Sequence, residues 1–595
     1  MIERKDIEET LKWRLTDVFT TDEEWEKAFA EVENKYGNYD FSKFKGKLSD
    51  KEVLLACLRL NDEVSRKIEL LHLYAYAHHD EDLRVGKYGS FVARTGALIS
   101  RIFAEFAFVE PELTTLSEAQ LSAFIADSDF APYEYMLRKI EKSKAHVLSE
   151  GEEKLLTLAS DVMGGFQSTF TMLNNANLNL PKATLGAEEM QMSHGLYGVA
   201  LREGTAEERK EWFEKYYGAY IKLIDSITQT YYSNVKMDVF YKTARKFDSC
   251  LEMALAGEDV SPEVYNNLVE AVHGGLPLLH EYIALRKQVL GLNEQHMYDV
   301  FVPLVENADI KLPFADAYNL VIDGLAPLGK DYQELLRKAL CEGWIDVCEC
   351  EGKRCGAYSI GVYDVHPFVL LNYQQTTNDV FTIAHEMGHA LHTYKSQNAQ
   401  PYAKASYTIF LAEIASTVNE VLLLKHLYKN TDDKNLKKYL LNYYMETIRG
   451  TLFRQTQFAE FEQIAHEKAE AGEALTKDVL NEVYYDLNRK YYGDGITHDA
   501  EIAYEWSRIP HFYNAFYVYK YATGIISAIS LAKRILEEGE SAVADYFAFL
   551  SAGGSNDPVS ILKKAGVDLT TKAPYEGAMA EFKATLDEFK SLLDE

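Results

Sequence analysis

Apolar residues recur three and four positions apart along most of the chain, a periodicity that predicts a mainly helical protein. After Trp13-Arg14-Leu15-Thr16-Asp17-Val18-Phe19, Thr20 or Thr21 offers a cap for a helix entering at Asp22, with acids in its first turn where the helix dipole favours them. Helical patterns follow over residues 50–79, 87–109, 116–124, 134–147 and 151–166, separated by short polar breaks such as Ser149-Glu150-Gly151. Clustered asparagines in 171–182 interrupt the rhythm. We therefore expect an N-terminal helical region, 1–195, and a larger domain, 196–595. Within the latter a helical series runs from 206 to 338, where Ser261 can cap and Pro262 suits a first helical position.

The texture changes at 343–374. Trp344 to Cys348, Gly356 to Gly361 and Phe368 to Tyr373 read as short strands with turns at Glu351-Gly352-Lys353 and Asp364-Val365-His366-Pro367, predicting a small sheet. A helix then begins near Thr376-Thr377-Asn378-Asp379 and runs through Tyr394, with apolar residues at 380, 381, 383, 384, 387 and 391. Gln397-Asn398-Ala399-Gln400-Pro401 ends it. A second helix is expected over 406–428, carrying Glu413 and Glu420 among apolar neighbours.

Length and composition narrow the class. With 595 residues the chain exceeds one ordinary core, and 47% hydrophobic with 26% charged residues is usual for a folded globular protein. Only 13 prolines occur, which agrees with a helical fold. A formal net charge of −30 repels phosphate backbones and anionic membrane surfaces, so neither nucleic acid nor membrane is an expected partner. Met1-Ile2-Glu3-Arg4-Lys5-Asp6 lacks the apolar core of a secretory signal and no apolar run is long enough to span a bilayer, so a cytoplasmic location is expected. Cys341, Cys348, Cys350 and Cys355 crowd together without the spacing of a zinc knuckle and read as reduced thiols. His72, His78 and His79 are not spaced four apart, and they read as a helix face.

Candidate chemistry centres on His385-Glu386-Met387-Gly388-His389. In a helix His385 and His389 stand one turn apart on one face, where two imidazoles can reach one metal ion, and Glu386 can take a proton from a water the ion activates. This is the pattern of a zinc hydrolase holding one Zn2+ per chain. A catalytic zinc takes three protein ligands. Two helices joined by a short loop often run antiparallel, which brings Glu413 near the middle of the first helix; Glu420 and His392 are its rivals. Glu420 suits a supporting hydrogen bond to the free nitrogen of a ligand imidazole. The strand containing Gly356, Ala357 and Tyr358 could pair with an extended peptide or merely buttress the helix. A third region holds His498 and the aromatic stretch 506–524. His511 with Tyr517, Tyr519 or Tyr521 can donate hydrogen bonds to a developing oxyanion, although with 40 tyrosines in the chain simple packing competes with that reading.

His385-Glu386-Met387-Gly388-His389-Ala390-Leu391-His392 followed by Phe410-Leu411-Ala412-Glu413-Ile414-Ala415-Ser416 resembles the oligoendopeptidase F family, relatives of thimet oligopeptidase. The likeness extends over essentially the whole chain, including Trp13-Arg14-Leu15-Thr16-Asp17, Leu173-Asn174-Asn175-Ala176, Gly356-Ala357-Tyr358-Ser359, Ile509-Pro510-His511-Phe512-Tyr513 and Ala552-Gly553-Gly554-Ser555. Met387 stands where Leu or Phe is commoner. The resemblance implies a mainly α, two-lobed zinc endopeptidase whose deep central channel admits short peptides and excludes folded proteins. It implies His385, His389 and Glu413 as ligands, Glu386 as general base and proton shuttle, and a His and Tyr of the C-terminal segment as oxyanion donors. Two other readings stay open: a metallocarboxypeptidase with the same motif, and a peptide-binding protein without turnover.

Overall fold

Side-chain caps set many of the element boundaries. The structure, a computed structural model, describes residues 2–305 and 311–594. Thr21 accepts from the Glu24 amide and starts the helix Asp22–Tyr36, and Asp50 caps Lys51–Glu81 in the same way. Thr205 and Glu208 form a reciprocal capping box at the head of Ala206–Ala244. Ser261 caps Pro262–Val289, with Pro262 in its first turn. The periodicity over 87–109 divides into Gly86–Phe106 and Val109–Thr114. Of the 206–338 series, residues 306–310 lie outside the described residues; the rest includes Phe314–Gly324 and Lys330–Cys341. The protein is mainly helical, with two small sheets among the described residues. No helix among the described residues is long and apolar enough to cross a membrane.

The chain divides into two compact units, Met1–Val147 with Asp309–Lys429 and Leu531–Val567, and Leu148–Ala308 with Asn430–Ser530 and Asp568–Glu595. Both are built from separate stretches, so no single cut along the sequence divides them, and the boundary expected near 195 falls inside the second. A reading that follows chain order cannot see segments that return to an earlier unit.

In the first unit, Trp25, Phe29, Val32 and Tyr36 line one face of Asp22–Tyr36, and the Trp25 ring stacks on Phe91 at 3.8 Å. His78 pairs with Glu81 at 2.8 Å and stacks on Tyr88, a packing role on its helix. The sheet joins this core through Phe368 and Leu370. Its strands are β3 (Ile345–Cys348), β4 (Tyr358–Ile360) and β5 (Phe368–Tyr373), in the order β3-β5-β4, with β5 parallel to β3 and antiparallel to β4. Lys353 is buried beneath it, paired with Asp346 at 2.7 Å, and donates to the carbonyls of Cys348 and Leu371.

The second unit holds β1 (Lys182–Leu185) and β2 (Glu188–Gln191), an antiparallel hairpin that follows a π-helical turn at Leu173–Asn177. From sequence, the asparagine cluster in 171–182 marks this region only as a break in helical rhythm. Two exposed strands of four residues carry too little apolar alternation to be recognised. Deeper in the unit Glu505 is buried and accepts from Arg454 at 2.5 Å, Arg508 at 2.6 Å and Tyr484 at 2.5 Å. Burial opposes its charge, but the two guanidiniums outweigh that and bring its pKa down to about 2. A carboxyl with a depressed folded-state pKa contributes stability above its unfolded value, about 4.3, and loses it as pH falls through about 2. Glu505→Gln should therefore lower the urea midpoint at pH 7 by the equivalent of about 3 kcal/mol, because two partly buried cations lose their buried counter-charge. The gap to wild type should narrow as pH drops below about 4; equal midpoints at pH 7 would rule this account out.

Candidate active site

The helix that carries the His-Glu-x-x-His run starts directly after β5. Gln375 takes a left-handed φ of +61° to turn the chain, and Asp379 accepts from the amides of Gln374 and Thr376 while the Thr376 hydroxyl caps the Asp379 amide. The resulting helix, Thr377–Ala399, buries Val380, Phe381, Ile383, Ala384, Met387 and Leu391. That face fixes the helix roll, and His385 and His389 fall on the partly exposed side, with Nε2 atoms 3.2 Å apart.

The second helix, Ile409–Asn430, lies close against the first. Gly388 makes this possible: a Cβ there would sit 2.5 Å from Ser416 Cα and 2.8 Å from both the Ser416 nitrogen and the Ala415 carbonyl oxygen. Buried Asn419 pins the pair by donating to the Ala384 carbonyl at 2.9 Å and accepting from Tyr332 at 3.1 Å. One turn before Ser416, Glu413 Oε2 comes 3.4 Å from His385 Nε2 and 3.5 Å from His389 Nε2. Three donor atoms thus form a nearly equilateral triangle with sides of 3.2, 3.4 and 3.5 Å. Zinc bonds of about 2.0–2.1 Å in tetrahedral geometry separate ligand atoms by roughly 3.3 Å, so the donor set and its spacing fit that ion. Among the described residues, His385, His389 and Glu413 are the group of His, Cys, Asp or Glu side chains placed to share a metal.

Neighbouring groups prepare these donors. Glu420 Oε1 accepts from His385 Nδ1 at 2.6 Å, which leaves Nε2 as the lone-pair nitrogen facing the triangle. Burial works against charge on His385, but Glu413 and Glu420 prevail and push it up to about 10. A metal must displace that proton, so affinity falls as pH falls. Hydrogen bonds from His385 and His389 hold Glu413 well below the usual carboxylate range. Glu386, on the same helix, is buried, and burial raises its pKa despite the two imidazoles. His392 faces elsewhere: fully buried, it stacks on Tyr407 at 3.7 Å, and burial brings its pKa down to about 3.

The other residues singled out from sequence divide into those the fold has committed and those it presents. β4 pairs only with β5 among the described residues and forms one edge of the sheet. Tyr358 in that strand donates its hydroxyl to buried Asp80 at 2.8 Å. Gly356, at φ +86°, is exposed, with its carbonyl taken by Asn372 at 2.7 Å; Ala357 is half-buried. In the second unit His498 spends both ring nitrogens on Asn488 at 2.6 Å and the Gly493 carbonyl at 2.7 Å, closing its own loop. Tyr519 is fully buried against Tyr265. His511, Tyr517 and Tyr521 instead gather as one partly exposed aromatic trio: Tyr521 Oη is 3.4 Å from His511 Nε2, and the Tyr517 ring lies 6.1 Å from the imidazole and 5.6 Å from Tyr521. Gly388 and Asn419 were not singled out from sequence. A glycine in mid-helix, unfavourable by about 1 kcal/mol relative to Ala, was the available signal.

The profile of Peptidase family M3 matches residues 199–581, and that of Oligopeptidase F matches 112–179. The chain belongs to peptidase family M3. Oligopeptidase PepF of Bacillus subtilis is 42% identical over 594 residues, covering 99% of this chain and 88% of the relative. An oligoendopeptidase F homolog of Lactococcus lactis is 38% identical, with 99% and 98% covered. The crystal structure of oligoendopeptidase-F from Enterococcus faecium is 33% identical, covers 96% of this chain and 99% of its own, and superposes with a TM-score of 0.74. This M3 peptidase is accordingly a metalloendopeptidase, and its substrates are peptides.

Proposed function

We propose that this M3 peptidase is a zinc-dependent oligoendopeptidase that hydrolyses internal bonds of short peptides. The observation that carries the reading is the triangle of His385 Nε2, His389 Nε2 and Glu413 Oε2, whose sides of 3.2–3.5 Å suit one tetrahedral ion. His385, His389 and Glu413 would hold the zinc, which when bound would supply Lewis acidity toward the scissile carbonyl and the attacking water. Glu386 takes the proton of that water and passes it to the departing amine nitrogen; burial raises its proton affinity, which favours a base at this position. Glu420 holds His385 in the tautomer that presents Nε2. The edge of β4 with Gly356 and Ala357 offers main-chain hydrogen bonds to an extended peptide, and His511 with Tyr517 and Tyr521 donates hydrogen bonds to the substrate and its developing oxyanion. A cytoplasmic location is part of the proposal, supported by six cysteines that are all free.

The test uses a peptide blocked at both ends. The purified protein should cut it internally, a chelator should abolish cleavage, and added Zn2+ should restore it, with product masses locating the cut. Failure to cut the blocked peptide while trimming free C-termini would favour a carboxypeptidase. Tight peptide binding with no turnover at full zinc loading would favour a binding protein.

A further inference from the structure

Between His511 and the helix Tyr519–Glu538 the chain reverses at Phe516, which adopts a φ of +56°. A left-handed backbone is unusual for a bulky side chain and persists only where its surroundings hold it. Two contacts do so from the helix Arg454–Glu470. The Phe516 ring is buried against the His466 imidazole, centroids 4.7 Å apart, and the Phe516 amide donates to Glu462 Oε1 at 3.1 Å. His466 is itself fixed, its Nδ1 on the Glu462 carbonyl at 2.8 Å and its Nε2 on Asp238 at 3.2 Å.

Glu462 is fully buried, and its second oxygen, Oε2, has no hydrogen-bond partner among the described residues. A buried carboxylate held by one backbone N–H is costly as an anion. Burial accordingly pushes Glu462 well above the usual carboxylate range. What it offers its surroundings is one acceptor, aimed at the amide of the left-handed residue.

We infer that Glu462 is a positioning residue for peptide cleavage: by holding the turn at Phe516 it sets how His511, Tyr517 and Tyr521 face one another. The trio straddles that turn, with His511 five residues before it and Tyr517 immediately after. A change in the Phe516 backbone swings Tyr517 and the start of the Tyr521 helix against the imidazole. The inference rests on the substrate-binding role proposed above for the trio.

Glu462→Gln keeps an acceptor of the same reach, whereas Glu462→Leu removes it and keeps the volume. On the zinc-loaded protein, kcat of E462Q should stay within about threefold of wild type. That of E462L should fall by on the order of 10- to 100-fold with KM little changed, the loss expected when donors are misplaced by an ångström or less. Circular dichroism melts identify the temperature at which all variants are folded. In the wild-type protein, hydrogen exchange on peptides spanning Phe516 should show a strongly protected amide, a measurement that stands even if E462L does not fold. The inference is overturned by a folded E462L with wild-type kcat, by E462Q as impaired as E462L, or by rapid exchange at Phe516. His511→Ala, run alongside, separates the two levels. Wild-type kcat in H511A removes the reading beneath the inference, whereas a poor H511A beside a fully active E462L removes the inference alone.

Discussion

Replacing Glu386 by Gln should lower kcat on an internal peptide bond by on the order of 10²- to 10⁴-fold while leaving the zinc content of the protein unchanged. The side chain keeps its length and loses only its basicity. Glu386 is not among the three donors of the triangle, so the ion should be bound as before by His385, His389 and Glu413. Its burial makes the effect large: water excluded from the carboxylate cannot readily replace it as the proton carrier. Metal analysis and steady-state kinetics on the same preparation decide the matter. A metal-loaded E386Q enzyme with wild-type kcat would remove Glu386 from the mechanism; an inactive one that has lost its zinc would make it a determinant of the metal site.

The second large effect is expected from the smallest substitution. Gly388→Ala adds one methyl group where the two site helices touch, 2.5 Å from Ser416 Cα. Real Cβ atoms are not found that close to other atoms, and the opposing atoms are backbone, so no side-chain rotation relieves the contact. The helices must separate by about 1 Å, with a stability cost of about 1–3 kcal/mol. Glu413 lies one turn before Ser416 on the displaced helix, so the triangle opens on the carboxylate side. An ångström of misplacement costs about 100-fold in rate. We expect G388A to be folded by circular dichroism, to lose zinc to chelator far more readily than wild type, and to regain part of its activity in excess Zn2+. Wild-type chelator resistance in G388A would show that the helix contact does not govern the site.

Much of this was legible from local pattern. The His-Glu-x-x-His run needs only helical geometry to bring two imidazoles together, and the Thr376 capping box with its apolar periodicity announces that helix within a few residues. The three strands at 343–374 were visible as short β-rich runs between turns. The hairpin Lys182–Leu185 with Glu188–Gln191 was not, because exposed short strands leave no alternation to read. The two units were not either, since each gathers segments far apart in the chain.

Spacing along the chain could nominate candidates for the site but could not choose among them. Glu413, Glu420 and His392 all lie within reach of the motif by helical arithmetic. Tertiary packing puts Glu413 with the two imidazoles, Glu420 on the far nitrogen of His385, and His392 into the core on Tyr407. Tyr517, Tyr519 and Tyr521 were equivalent in an aromatic stripe until packing buried Tyr519 and left the other two beside His511. The hydroxyl of Tyr358 is taken by Asp80, distant in sequence, a contact that no local pattern could show. The physical reason is the same in each case. Periodicity specifies which residues share a face of their own element, and that predicted the helical fold and put the two histidines on one helix face. Which face meets which neighbour is decided by long-range contacts such as Gly388 on Ser416, Asn419 on Ala384 and Glu462 on Phe516, and these exist only in the folded chain.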